Sequence, residues 1–288
     1  MPSRVTSLAI LIYWSIAAFC LLTWDVIPEL SLGYAPDLRT IAGSGDSTKP
    51  VGWSIQIVDD PRFPEVRRTV GEAVTTSWRR PDGWVELTSR VDIDAGGLLK
   101  GTPFVTRTSA RLGVESLYRV DPSGNLGSFD LQVTSRESLD ALIKVKGQLK
   151  GDKMEIVSRG PVPLFNQNWS FDYEPRSVVR DMVGPLDRLP GLHVGQRWES
   201  RVINPFSGQV DRVRVEVARR GLIDWDGNPV RTFEVVQKMA ALSMRTWVRT
   251  DGVILRHEVP FPFVRLVLER RPETDSIPAT PPSTVPPS

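Results

Sequence analysis

The stretch Arg212-Val213-Arg214-Val215-Glu216-Val217 alternates charged residues with valines. A period of two puts the three valines on one face of an extended strand and the three charges on the other. An α-helix would scatter both sets around its circumference. The same reading spreads outward from this segment. Between Trp84 and Ile93, the residues Val85, Leu87, Val91 and Ile93 share one face. Phe129, Leu131 and Val133 share another, and Ile143, Val145 and Leu149 stand opposite Lys144, Lys146 and Lys150. Val253, Leu255 and Val259 are expected on a face that also carries His257.

Turn-forming residues separate these runs: Pro81-Asp82-Gly83, Asp121 to Asn125, Lys150-Gly151-Asp152, Asp226-Gly227-Asn228 and Thr250-Asp251-Gly252. Glycine accepts a positive φ and aspartate bonds to nearby amides, so tight hairpins are the economical connections. Half-buried faces suit antiparallel pairing, because parallel sheets need strands buried on both sides and helices between them. The expected fold is mainly β: a long antiparallel meander of about a dozen strands, curved into an open sheet or incomplete barrel.

One short helix is expected in this region. In Pro175-Arg176-Ser177-Val178-Val179-Arg180-Asp181-Met182-Val183-Gly184, helical spacing would bring Val178, Val179, Met182 and Val183 to one side, and Pro185 would stop it. A continuous sheet wrapped over this helix is the expected arrangement. Two packed β-halves, 51–174 and 175–271, are the alternative.

The amino terminus reads differently. Leu8 to Trp24 contains no charged residue. The charge-free run is near the lower limit for crossing hydrocarbon, and an apolar helix over residues 8–27, extended towards Val5, is expected to span it. Arg4 precedes it and Asp25 and Glu29 follow, so residues 1–7 are expected in the cytoplasm and the rest outside it. The run exceeds the usual signal-peptide core and no A-x-A site follows, which favours a retained signal anchor over a cleaved signal. Cys20 stands after Phe19, where a lipobox carries a small residue, so lipidation is not expected. Residues 28–50 read as a linker. Residues 272–288, with six prolines, read as a disordered tail of polyproline character.

Composition narrows the function. The 288 residues carry 36 Lys+Arg against 34 Asp+Glu, a formal charge of +2, and the basic residues are spread rather than clustered, so nucleic acid is not an expected partner. One cysteine excludes a disulfide framework and multi-cysteine metal sites. The histidines are His193, beside a glycine turn, and His257. No Gly-x-Ser-x-Gly elbow or phosphate-binding glycine loop is present. Asp92 and Asp94 read as a strand end, and Asp224 to Asn228 as a capped hairpin rather than a calcium loop. No catalytic constellation, cofactor or metal ligand set is expected.

Gly191 to Val202, Thr232 to Met239 and the late hairpin from Leu242 to Pro260 resemble the carboxyl-terminal parts of uncharacterised bacterial envelope proteins of the DUF3108-like type. Gly195-x-x-Trp198 and the Trp-x-x-x-Asp-Gly pattern from Trp247 carry the likeness, which covers roughly residues 175–270. It implies an architecture similar to the incomplete β-barrel of periplasmic lipoprotein carriers and a place in the bacterial envelope, facing the periplasm.

The function expected on these grounds is a membrane-anchored extracytoplasmic domain that binds an apolar or amphipathic ligand. A structural or protein-interaction module is the alternative, with Arg212/Arg214 and Arg245/Arg249 offered to acidic partners. Expected partners are the lipid bilayer, through residues 8–27, and a lipid-like ligand or an envelope protein. Val179, Met182, Trp198, Trp247 and His257 are the candidate pocket residues, with Trp53 and Trp169 as further wall positions.

Overall fold

Fifteen strands join into one sheet in the computed structural model. It describes residues 4–21, 33, 49–58, 62, 66–98, 111–136, 141–175, 178–179, 186–204, 209–239, 242–261 and 264–272. The strands are β1 (Val51–Val58), β2 (Arg67–Arg79), β3 (Val85–Asp94), β4 (Arg111–Val120), β5 (Leu126–Ser135), β6 (Ala141–Lys150), β7 (Lys153–Arg159) and β8 (Gln167–Asp172). After these come β9 (Val178–Val179), β10 (Arg197–Ile203), β11 (Val210–Trp225), β12 (Asn228–Met239), β13 (Leu242–Arg249), β14 (Ile254–Phe261) and β15 (Val264–Arg270). Two α-helices, α1 (Arg4–Leu21) and the four-residue α2 (Ala95–Leu98), and a 3-10 turn at Pro163–Phe165 accompany them among the described residues.

The order across the sheet is β8 to β1, then β15 back to β9. All neighbours are antiparallel except β9, which lies parallel to β10. The seam between the two runs is β1 against β15, with Trp53 opposite Arg270 and Val58 opposite Arg265. Residues on both sides of the middle of the chain thus share one ladder system.

Alternation builds two main cores. The larger gathers Trp53, Ile55 and Ile57 with Trp198, Val213, Val215, Val217, Phe233, Val235 and Leu268; the second gathers Leu126, Phe129, Leu131, Val145, Met154, Ile156 and Ile203. Trp198 and Ile203 are five apart on β10, whose pairing with β11 has no bulge, so they point to opposite faces. β10 therefore faces the larger core on one side and the second on the other. This requires the sheet to roll until its β10 end lies inside the concave face of β4–β7. Val114 packs against both cores, and Arg201 pairs with Glu174 just beyond β8. No ladder joins β8 to β9 or β10 among the described residues. The roll is an incomplete barrel.

The tight turns lie at one end of this roll. Asp226 and Gly227 both have positive φ, 54° and 70°, as the two-residue type I′ hairpin between β11 and β12 requires. Residues 186–193 cross the same end: Leu189 N–H donates to the Gly252 carbonyl at 2.7 Å, Ile254 N–H donates to Asp187 at 3.0 Å, and Leu189 and Leu192 pack on the larger core. A Cβ at Gly252 would come within 2.8 Å of the Pro190 backbone, so this crossing depends on glycine there.

The expected helix, and the wrapping of the sheet over it, need correction. Val178-Val179 is strand, not helix, and its partners are Val202 and Ile203. β-branched residues beside an unpaired strand edge gain more from ladder bonds than from one turn of helix with Pro175 before it. The sheet accordingly rolls over its own end and over residues 186–193. Ser177, Met182 and Val183 lie outside the described residues. Within residues 28–50, Gly33 N–H donates to the Arg197 carbonyl at 2.7 Å and forms a parallel bridge with Trp198, so Gly33 and β9 share one edge of β10.

α1 begins before the apolar run and ends inside it. Its Ile10, Ile12, Tyr13, Trp14, Ile16 and Phe19 are exposed, as is Cys20. No helix among the described residues is long and apolar enough to cross a membrane.

Close packing between β5 and β6 supplies a stability test. A Cβ at Gly147 would fall 1.9 Å from the Phe129 ring, which is itself buried in the second core. Gly147→Ala is expected to destabilise the domain by about 1–3 kcal/mol. Adding Phe129→Leu should recover part of that loss, as a double-mutant cycle by urea unfolding will show. Additive losses would mean that the ring does not set the limit.

Candidate functional site

The concave wall formed by β10–β15 and β1 is apolar in its middle rows except around His257, with Ser200 and Asp211 on the same face towards one end and Arg220, stacked on Phe233, towards the other. Along one row, Val217 pairs with Val235, Val235 with Thr246, Thr246 with His257, His257 with Leu268, and Leu268 with Ile55. The next row joins Trp198, Val215, Gln237 and Met244. Thr246 Oγ1 and His257 Nδ1 are 2.6 Å apart, and the Gln237 amide approaches Thr246 Oγ1 at 3.5 Å, a long contact.

His257 is neutral. Burial pushes its pKa down from 6.5 to about 4, because a charged imidazole surrounded by apolar side chains loses its hydration. The ring is densely surrounded by protein, and the residue still retains accessible surface. Nε2 has no protein partner among the described residues.

A second set of polar side chains lines the concave face further round. Thr75 pairs with Ser89, and Ser89 with Ser116. Trp53 Nε1 donates to Thr75 Oγ1 at 3.1 Å, while the Ser89 hydroxyl is buried with no partner among the described residues.

The candidate residues divide between faces. Trp198 and His257 line the concave wall, and Val179 belongs to β9 at the edge. Trp53 is fully buried and Trp169 packs on the second core. Met182 lies outside the described residues. Trp247 faces the other way. It packs with Ile223, Val253 and Leu255 on the convex side, and Arg256 stacks on it with 5.9 Å between the guanidinium carbon and the ring centre. The expected common face of Val253, Leu255 and His257 is broken by a bulge: Val248 pairs with Ile254 but Trp247 with Arg256. The extra residue, Leu255, sends its side chain to the convex cluster.

Gln237 and Thr246 were not singled out from the sequence. Each reads as an ordinary strand residue until the register of three strands places it beside the imidazole.

The convex face is a charge lattice. Arg219, Glu234, Arg245, Glu258 and Arg265 alternate in sign from β11 to β15, and each neighbours its opposite. Arg212 meets Glu199, and Arg249 meets Asp251. Much of the arginine expected to face acidic partners is therefore engaged within the chain. Asp92 is paired with Arg136 rather than with Asp94. His193 is exposed in a turn, where its backbone N–H bonds to Gln196. Among the described residues, no three His, Cys, Asp or Glu side chains gather as a metal site would require.

No protein-family model matches the chain. No curated protein matches it. Among solved structures, a β-barrel-like protein of the DUF1849 family from Brucella abortus superposes with a TM-score of 0.52 at 7% identity, covering 77% of this chain and 94% of its own. A DUF1089 family protein from Pseudomonas aeruginosa gives a TM-score of 0.35 at 12% identity, covering 65% of this chain and 89% of its own. The first supports a barrel-like fold. The DUF3108-like resemblance is not shown by these matches.

Proposed function

We propose that this protein is a membrane-anchored envelope domain that holds an apolar or amphipathic ligand on the concave face of its rolled sheet. The observation that carries the reading is a tryptophan-bearing, mainly apolar wall that includes a neutral, half-buried histidine. Binding sites for such ligands combine apolar lining with a few placed polar groups. Anchoring is supported by the exposed apolar residues of α1 and by the charge bias of Arg4 against Asp25. On that bias the sheet lies outside the cytoplasm, on the periplasmic side in a bacterial envelope.

The test is direct. Full-length protein extracted from native membranes should retain an apolar small molecule visible by mass spectrometry, and the stripped protein should bind a fluorescent acyl probe saturably. Met244→Trp fills space on the concave wall and should weaken the probe at least tenfold, roughly 1.4 kcal/mol. Trp247→Ala, on the convex face, should leave binding within about twofold, below 0.5 kcal/mol. Absence of retained ligand and of saturable binding would defeat the proposal. A structural module would then be the reading, favoured by the edge of β8, which no strand among the described residues covers and which is a site for strand addition.

A further inference from the structure

Resting on that ligand-binding reading, we propose that His257 receives the uncharged polar end of the ligand, donating a hydrogen bond from Nε2 to an ester, amide or hydroxyl oxygen. A free carboxylate is the ligand chemistry this site disfavours.

Three observations lead there. His257 stands on the concave wall between Thr246 and Leu268, and the next positions outward are Val235 and Ile55, so its row holds no charge. The neighbouring carboxylates are directed away: Glu258, next in the chain, meets Arg265 on the convex face, and Glu269 meets Arg67 and Arg256. Nothing nearby on that row would compensate a ligand's negative charge, and an uncompensated charge on an apolar wall carries a large desolvation cost.

The assigned direction of the hydrogen bond uses the polar chain, whose Gln237–Thr246 link is a long contact. With the Gln237 amide as donor to Thr246 Oγ1, the single hydroxyl proton is free to point at Nδ1. Nδ1 is then the acceptor and the ring proton resides on Nε2. That atom has no protein partner among the described residues, and the residue retains accessible surface beside the concave wall. A lone donor on an apolar wall selects for an acceptor oxygen attached to an apolar body. Hydrogen-bonding sites discriminate more sharply than apolar ones, because mismatched polar groups are left buried and unpaired.

The chain has two histidines, His193 and His257, so nitrogen NMR of full-length protein with ¹⁵N-histidine gives two separable sets of signals. The ligand-free spectrum at pH 7 should show His257 with its proton on Nε2. Adding 1-monooleoylglycerol should shift the His257 Nε2 signal and leave His193 in place, with affinity at least tenfold above that for oleate. His257→Phe keeps the ring volume and should erase that preference while the acyl chain still binds. Saturable monooleoylglycerol binding that leaves His257 unmoved would overturn this inference and leave the ligand-binding reading standing. Oleate binding as tightly, with protonation of the ring, would overturn the choice of a neutral end group. Binding of neither lipid would overturn both readings.

Discussion

Val215→Asp is expected to prevent stable folding, whereas Arg214→Ser is expected to leave the sheet intact. The two positions are adjacent on β11, and their side chains differ in what surrounds them. Val215 is 6% exposed and belongs to the larger core, opposite Trp198 on one side and Gln237 on the other. An aspartate there would place a carboxylate among apolar groups without a cationic partner on its row. The cost of such burial is several kcal/mol, comparable with the whole stability of a domain, typically about 5–15 kcal/mol. Arg214 is exposed on the charged face, where an ion pair contributes about 0–1 kcal/mol. Circular dichroism and urea unfolding of both full-length variants will separate these cases. Equal losses would mean that β11 does not present the face described.

The phase of individual strands was legible because alternation is a local property. Val213, Val215 and Val217 lie in the larger core, and Phe129, Leu131 and Val145 in the second, as the period of two requires. What alternation cannot carry is an inserted residue. The bulge opposite Trp247 and Val248 reverses the facing of Leu255 relative to His257, and nothing in Val253-Ile254-Leu255-Arg256-His257 marks it. The same limit explains Trp247, whose direction depends on which partner residues it meets across the sheet.

Val178-Val179 failed for a different reason. A short apolar pair fits a helix turn and a strand equally well, and the deciding contact, Val202-Ile203, is more than twenty residues away. The rolled shape has the same origin. Trp198 and Ile203 can be assigned to opposite faces of β10 from sequence, but two separate cores to receive them become visible only when β4–β7 curve around to meet Ile203. The polar part of the candidate site is non-local as well, since Gln237, Thr246 and His257 come from three strands. A lone histidine in a strand is an ordinary residue until its neighbours are known.

That histidine also governs an expected acid sensitivity. His257 titrates at about 4 in the fold against 6.5 in the free state, so between these values the unfolded chain binds a proton that the folded chain refuses. Stability therefore rises with pH through this window and is lost as pH falls from 6.5 toward 4. The full effect is about 3 kcal/mol, a large fraction of a domain's stability. Two carboxylates titrate with their own signs. Asp251 is held below its ordinary value chiefly by its hydrogen bond with Arg249, so its stabilisation is also lost on acidification. Burial raises Asp187, which opposes that trend. Subtracting the profile of a His257→Gln variant removes both, because neither group contacts the ring, and Gln keeps a polar atom for Thr246 without titrating. Urea midpoints of the full chain in mild detergent at pH 7 and pH 4.5 are the measurement. Wild type should lose about 2–3 kcal/mol more than the variant between these pH values. Parallel losses in both proteins would show that the imidazole reaches water in the fold, and the enclosed polar end of the concave wall would have to be abandoned.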